Sequence, residues 1–547
     1  MSTFVAARSR KLLPWLNAVF DSLFRVAHQH FFVFTVVNFL IMLALSAILT
    51  PFDDVLREDA YIYLQKAVEI TNGDWTPIHT HFIGWPIFLA LILTILDIDS
   101  IFAGMTIARW ASIVLLALSI FPFASLAARL LGVRAAVIAV IAFTLSPPLL
   151  NFAGIAGADS LFVFLVMLVG HTLLGPGAGL ARTLIPTTFA SLAYYVRPNG
   201  IFLLLVILLY RLFSEEPWGR RMTYSIAAVL AFFLISSPHL YARYAAYGSP
   251  VDYGENSKYF VDSSDDVWDP SVPIPTLGQY LATHTIGNYV NKFVIHGVIR
   301  VCLDLFRVMG PLWLWLLLAG ILHCVLSDRP NDFGVPLLFV VVMIVSLFPV
   351  YHIFSAFRYF LPIVPFALII GTHMLDDLTQ RTKVAGVLSA VFVAVLVGQA
   401  AVVTAENLVS KPRQFTGLRA PQVRDQWAVW AAEHLEGKIA IVEGGDLIEM
   451  AQLPIGHDTA TAASIPNKIT TFRPRKYPDL RTALQDFASE GVGYVFVDHK
   501  NSGRRPFLRE IYDPAWSEDF RHIRSFRSLP EQDWSIEDMD IFAVVYR

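Results

Sequence analysis

From Phe31 to Thr50 the chain carries no charged residue, and about 20 mostly apolar residues are what a helix needs to cross a bilayer core. Comparable apolar runs return at about 104–128, 135–153, 159–174, 183–196, 199–214, 223–239, 308–326, 333–351, 359–375 and 384–404. Counted with the first, they predict roughly eleven membrane-spanning helices. Phe82 to Leu96 is apolar too, but it has only fifteen residues and contains Pro86, which fits a re-entrant or surface-lying helix at least as well as a span.

The basic residues between the runs set the orientation. With the N-terminus inside and 82–96 not crossing, the cytoplasmic turns hold Arg129, Arg134, Arg182, Arg211, Arg220, Arg221, Arg329, Arg381 and Lys383. The opposite loops near 151–158 and 352–357 hold no Lys or Arg, so the positive-inside rule selects this topology. Ahead of the first span, Arg8, Arg10, Lys11 and Arg25 accompany Trp15, Leu16, Val19, Phe20 and Leu23 at helical spacing. Residues 1–30 therefore read as a cytoplasmic amphipathic helix on the membrane surface rather than a cleaved signal.

Beyond about residue 405 the texture changes. Charged and polar residues run throughout, and strand-like runs at Lys438–Val442, Gly493–Val497 and Ile541–Tyr546 alternate with helix-like Gln422–Leu435 and Pro478–Ser489. Such alternation predicts a small α/β domain. The expected fold is an all-α polytopic membrane domain over 31–404 followed by an extracytoplasmic α/β domain over 405–547. Residues 51–103 form the first outer loop, with juxtamembrane helices, and 240–305 form a second, longer one.

Composition agrees. Of 547 residues 55% are hydrophobic and 16% charged, against roughly 25% charged in a soluble domain. A disordered scaffold, a fibrous repeat and an ordinary cytosolic enzyme are excluded. A net charge of −3 leaves no basic excess for nucleic acid. Cys302 and Cys324 sit in apolar surroundings and read as small buried hydrophobes rather than a disulfide.

The sharpest chemistry follows the first span: Asp53-Asp-Val-Leu-Arg57-Glu58-Asp59-Ala-Tyr61-Ile-Tyr63. Carboxylates and a guanidinium stand together at a membrane boundary, followed by a stretch with an apolar face (Ile62, Leu64, Ala67, Val68). His79-Thr-His81-Phe-Ile-Gly-Trp-Pro86 then leads into the short apolar segment. A solvated charged loop would not need this order. The pattern describes a folded, membrane-hugging loop with acid, imidazole and guanidinium at one depth.

These features resemble the GT-C glycosyltransferases, most closely the branch of the protein O-mannosyltransferases and the aminoarabinose transferase that modifies lipid A. Later strings agree: Thr144-Leu-Ser-Pro147 before Gly157-Ala-Asp159-Ser-Leu-Phe162, Tyr194-Tyr-Val-Arg197-Pro-Asn-Gly200, Tyr247-Gly-Ser-Pro250, and Phe357-Arg358-Tyr359-Phe-Leu-Pro362-Ile-Val-Pro365. The likeness covers about 30–400. Two departures stand out: Glu58 precedes Asp59 where the mannosyltransferases tend to have Asp before Glu, and His81-Phe-Ile-Gly-Trp-Pro86 replaces their His-Pro-Pro-Leu-Gly-Lys. The second leaves the lysine's role to His79 or His81.

The resemblance implies inverting transfer of a sugar from a polyprenyl-phosphate carrier to a hydroxyl or phosphate of a lipid, glycan or protein acceptor. A carboxylate suits the base that strips the acceptor's proton, and fixed cations suit the growing phosphate charge. Asp59 is the expected base, with Glu58 as the alternative, and Asp159 a second acid at a helix start, where carboxylates also simply stabilise helices. Arg57 and Arg358 are the phosphate candidates, with His79, His81, Tyr359 and Arg197 beside them. For Arg358, Arg197 and Arg109, near predicted outer helix ends, snorkelling to the interface competes with such a role.

No cofactor is called for, although two histidines two apart could hold a divalent metal as a lesser alternative. The expected location is the bacterial plasma (inner) membrane, N-terminus cytoplasmic, with catalytic loops and C-terminal domain periplasmic. Besides membrane lipids, the expected partners are the lipid-linked donor and the acceptor. The alternative from another class is a transporter or flippase of a lipid-linked or amphipathic substrate, but no internal repeat is visible.

Overall fold

The computed structural model describes residues 26–27, 29–56, 59–78, 81–98, 100–175, 179–250, 260, 275, 277–326, 330–351, 357–381, 385–410, 425–442, 444–452, 468–475, 477–498, 505–527 and 538–546. The helical region opens with α1 (Phe31–Leu49), α2 (Asp59–Thr71), α3 (Gly84–Ile95), α4 (Ile101–Leu118), α5 (Ile120–Thr144) and α6 (Pro147–Ala153). It continues with α7 (Asp159–Leu173), α8 (Ala181–Val196), α9 (Gly200–Leu212), α10 (Trp218–Tyr247), α11 (Leu277–Thr283) and α12 (Ile286–Tyr289). A π-helical turn (Val290–His296) leads into α13 (Gly297–Leu326), followed by α14 (Pro330–Tyr351), a 3-10 turn (Phe357–Phe360), α15 (Val364–Arg381) and α16 (Ala385–Ser410).

The helices are solvated in reverse of a soluble protein. On α1 the buried stripe is Thr35, Asn38, Met42, Ser46 and Leu49, while Phe32, Val33, Val37, Leu40 and Ile41 point outward. Lipid solvates those apolar side chains, so polar and small residues take the packed face. Thr35 and Asn38 satisfy themselves on their own helix, donating to the carbonyls of Phe31 and Phe34.

By length and composition three described helical runs can cross a membrane: Phe31–Leu49, Ile101–Thr144 and Trp218–Tyr247. Ile286–Pro311 and Trp313–Val325, bent by 106°, make a fourth if counted as one span. Of the remaining apolar helices, α3, α7 and α9 are shorter than the sequence runs that announced them, whereas α8, α14 and α16 are longer. The runs at 104–128 and 135–153 become α4, α5 and α6, with a break in α5 at Gly132, where φ is +76°. α3 has 12 residues, about 18 Å, and is shorter than a hydrocarbon core about 30 Å thick, as α7 and α9 are.

Some smaller expectations change. Cys302 is exposed and Cys324 buried, and neither is in a disulfide. Trp313 is buried against Phe392, edge to face, and Trp315 is exposed.

After residue 410 come α17 (Gln426–His434), β1 (Gly437–Ala440), α18 (Gly445–Ala451), β2 (Ile469–Phe472), α19 (Leu480–Glu490), β3 (Val492–Asp498), β4 (Phe520–Phe526) and β5 (Met539–Val544). The strands form one sheet in the order β2-β1-β3-β5-β4. β2, β1 and β3 run parallel, and β5 and β4 are antiparallel. All three expected strand runs are present as β1, β3 and β5. The sequence reading missed β2 and β4. β4 is an edge strand whose interior (Arg521 to Ser525) is partly or fully exposed, so it lacks the apolar alternation that marks a half-buried strand.

Two glycines bring the segments that matter into contact. A Cβ on Gly84 would lie 2.6 Å from the backbone of Tyr195, and one on Gly154 would overlap the Thr50 side chain. The first lets the head of α3 reach the end of α8, and the second lets the end of α1 reach the turn after α6. Gly84→Val should therefore cost about 1–3 kcal/mol or more, read as a lowered thermal-unfolding midpoint in detergent. Gly219→Ala, where a Cβ meets nothing within 4 Å, should leave the midpoint unchanged.

Candidate active site

Asp59 is the first residue of α2, and both of its oxygens are engaged. His81, just before α3, stands with Nε2 3.0 Å from Oδ1. Because an ionised carboxylate only accepts, Nε2 carries the proton and donates it. Arg358, on the 3-10 turn before α15, places Nη1 2.8 Å from Oδ2. The His81 ring is fixed in turn by Tyr63, one turn along α2, which meets it edge to face at 5.2 Å.

A second pair lies beside the first. Asp159 opens α7 and accepts from Arg197 Nη2 at 2.7 Å, and both side chains are nearly buried. Arg197 caps the end of α8, which packs alongside α7, so the start of one helix faces the end of its neighbour. Tyr359 joins the two pairs, since the guanidiniums of Arg197 and Arg358 each stand 5.8 Å from its ring centroid. Cation–π contact of this kind holds two like charges near one another.

Electrostatics make one cluster of these groups. Burial pushes the Asp59 carboxyl up, but the His81 hydrogen bond and the Arg358 charge outweigh it and hold the group well below the usual carboxylate range. For Arg358 burial opposes the charge, yet Asp59, with Asp159 behind it, keeps the guanidinium charged above its ordinary range. The Tyr63 phenol, within electrostatic reach of all four charged groups, is raised by burial and keeps its proton.

Main-chain clasps hold the two acids in place. Trp85, fully buried on α3, donates Nε1–H to the Ala156 carbonyl at 2.8 Å. Ala156 has a φ of +62°, a conformation costly for a residue with a Cβ, in the turn that presents Asp159. Arg243 and Tyr247 of α10 donate to the carbonyls of Ile78 and Pro77 and so fix the approach to His81. Arg109 of α4 binds the carbonyls of Phe52, Asp54 and Val55, ahead of Asp59.

Of the residues singled out in the sequence, Asp59, Asp159, His81, Arg197, Arg358 and Tyr359 come together. Arg57, Glu58 and His79 lie outside the described residues. Tyr63, Trp85 and Arg243 were missed because a buried aromatic or arginine reads in sequence as core or as interfacial. The one available signal was their position among polar strings already noted. Among the described residues, no group of three or more His, Cys, Asp or Glu side chains stands at metal-holding range.

Compared by sequence, the chain matches no protein-family model and no curated protein. Compared by structure, it is similar to ArnT from Cupriavidus metallidurans bound to undecaprenyl phosphate. That match has 12% identity and a TM-score of 0.51, and covers 93% of this chain and 98% of that one. It is also similar to the archaeal oligosaccharyltransferase AglB from Archaeoglobus fulgidus, in complex with an inhibitory peptide and a dolichol-phosphate. There the identity is 13% and the TM-score 0.57, over 93% of this chain and 75% of that one. The chain has the GT-C fold. A GT-C fold is what the strings from Asp53 to Pro365 led us to expect, and it is a fold of membrane proteins.

The Asp59–Arg358 contact can be checked by a double-mutant cycle of Asp59→Asn and Arg358→Gln. Unfolding in detergent should give a coupling of about 1–3 kcal/mol, and a value near zero would mean that the contact is not made. Since the Asp59 carboxyl is depressed, its stabilisation is fully present above the ordinary carboxylate range. It should be lost progressively as pH falls from that range through the depressed native value.

Proposed function

We propose that this protein is an inverting glycosyltransferase that moves a sugar from a polyprenyl-phosphate carrier to a hydroxyl or phosphate of a lipid, glycan or protein acceptor at the outer membrane face. The observation that carries the reading is the meeting of Asp59 with Arg358 and His81, on segments far apart in sequence. The GT-C fold supports it, as do the undecaprenyl phosphate bound to ArnT and the dolichol-phosphate bound to AglB.

The chemistry follows from the charges. The donor's phosphodiester competes with Asp59 for Arg358, whose planar fork suits phosphate oxygens, and for the His81 N–H. Asp59 Oδ2, released from Arg358, then faces the acceptor hydroxyl. As the acceptor oxygen bonds to the anomeric carbon from the face opposite the phosphate, its proton passes to Asp59. The C–O bond to phosphate breaks, and the carrier leaves as a polyprenyl monophosphate. Leaving-group charge grows against Arg358 and His81, so no strong general acid is required. Asp159, held by Arg197, orients the acceptor. We assign charge stabilisation to these cations and propose no metal.

The charged residues gather where α2 and α7 begin and α8 ends, rather than along a path through the helices, which favours an enzyme over a transporter. The eleven-span topology, cytoplasmic N-terminus, periplasmic site and plasma-membrane location belong to the same proposal. So does the extracytoplasmic C-terminal domain, as a cap over acceptor access.

Asp59→Asn should lower transfer by about 10²–10⁴-fold with membrane insertion intact, and near-normal turnover would remove Asp59 from the mechanism. Arg358→Ala should weaken use of donor more than of acceptor; an equal loss on both sides would argue against phosphate contact. Mass spectrometry of envelope lipids and glycans with and without the protein should find unmodified acceptor accumulating beside unused carrier-linked sugar.

A further inference from the structure

Arg109 lies midway along α4 and is only 3% exposed. A snorkelling arginine would carry its guanidinium out to the interface. Here the guanidinium turns inward and spreads over three consecutive-turn carbonyls, those of Phe52 (3.4 Å), Asp54 and Val55 (3.2 Å). That stretch is the tether from the end of α1 to Asp59 at the head of α2. One turn further along the same face of α4, Ser112 is hydrogen-bonded at 2.8 Å to Ser160, which directly follows Asp159, and both serines are buried. A single helix face thus touches the chain just before one acid and just after the other. A buried cation inside a helix bundle is retained where it has such work.

We infer that Arg109 is a positioning residue: its fork across the 52–55 carbonyls anchors the chain ahead of α2, and so delivers Asp59 to His81 and Arg358. A planar guanidinium can satisfy three divergent carbonyls at once, whereas an ammonium is a point donor and an amide supplies one NH₂. The groups that Asp59 meets are His81 before α3, Arg358 on the 3-10 turn and Tyr63 on its own helix, with the Asp159–Arg197 pair beyond. If the tether relaxes, Asp59 loses its hold on the first two.

The test reads Asp59 itself, without substrate. In the full-length protein in nanodiscs, infrared difference spectroscopy follows the protonated carboxyl band that disappears in Asp59→Asn. The wild-type band should titrate well below the ordinary carboxylate value. In Arg109→Gln the midpoint should rise by about one pH unit or more, and Arg109→Lys, which keeps the charge but not the fork, should raise it too. Ser112→Ala should leave it in place. A folded Arg109→Gln with an unmoved midpoint overturns the inference. So does a shift in Arg109→Gln with none in Arg109→Lys, which would mark a through-space charge effect. If the glutamine variant does not fold, the lysine variant alone decides.

The kinetic arm rests on the glycosyltransferase reading. Both Arg109 variants should lower kcat by about tenfold or more with the donor KM nearly unchanged, and should move the acid limb of the pH–rate profile upward. A merely smaller folded fraction would scale the rate equally at every pH. Absence of transfer in the wild-type protein would sink the functional reading while the infrared titration still decides the positioning claim.

Discussion

Charges withdrawn from bulk water among apolar helices persist only where opposite charges and hydrogen bonds meet them, and the site is organised around that constraint. Asp59 with Arg358 and Asp159 with Arg197 form two ion pairs, and both guanidiniums stand against the Tyr359 ring. Remove one of the four charged members and its partner loses its main counter-charge while still partly desolvated. The cluster is thereby self-neutral at rest, and it can be opened by a ligand that offers its cations an anion of its own. A phosphodiester is such a ligand.

Holding that cluster together takes much of the surrounding helical fold. None of Asp59, His81, Asp159, Arg197 and Arg358 sits in the middle of a helix: each lies at a helix end, a turn or a short connection, where the backbone can aim it. The connections are then pinned by side chains from helices that carry no reacting group. Trp85 clasps the Ala156 carbonyl, Arg243 and Tyr247 clasp the segment before His81, and Arg109 clasps the one before Asp59. Close approach at Gly84 and Gly154 brings α3 to α8 and α1 to the turn after α6.

How much of this the sequence disclosed depends on the kind of signal. Asp59, His81, Asp159, Arg197 and Arg358 could be picked out because each is polar within or beside an apolar run, and their order along the chain matched a known pattern. Arg109 is equally polar, but near a predicted helix end it could equally have been snorkelling, and its inward turn depends on carbonyls more than 50 residues earlier. The strands β1, β3 and β5 announced themselves through apolar runs, whereas β4, with a solvent-exposed interior on the sheet edge, has no such imprint. Helix lengths were the least legible feature. Apolar runs record burial in lipid or in protein alike, and only lipid imposes a fixed thickness.

By itself the amino-acid sequence determined that this is a membrane protein of mostly helical build, with a polar α/β segment after it and acids, histidine and arginines set at the ends of apolar runs. Those properties follow from composition and from periodicity within one segment, where neighbours in space are neighbours in the chain. The tertiary structure alone decided which carboxylate faces which guanidinium, that two guanidiniums meet the Tyr359 ring, and that Arg109 points inward. Such pairings join segments up to some three hundred residues apart, and their distances are set by how helices pack, which no single stretch of sequence encodes.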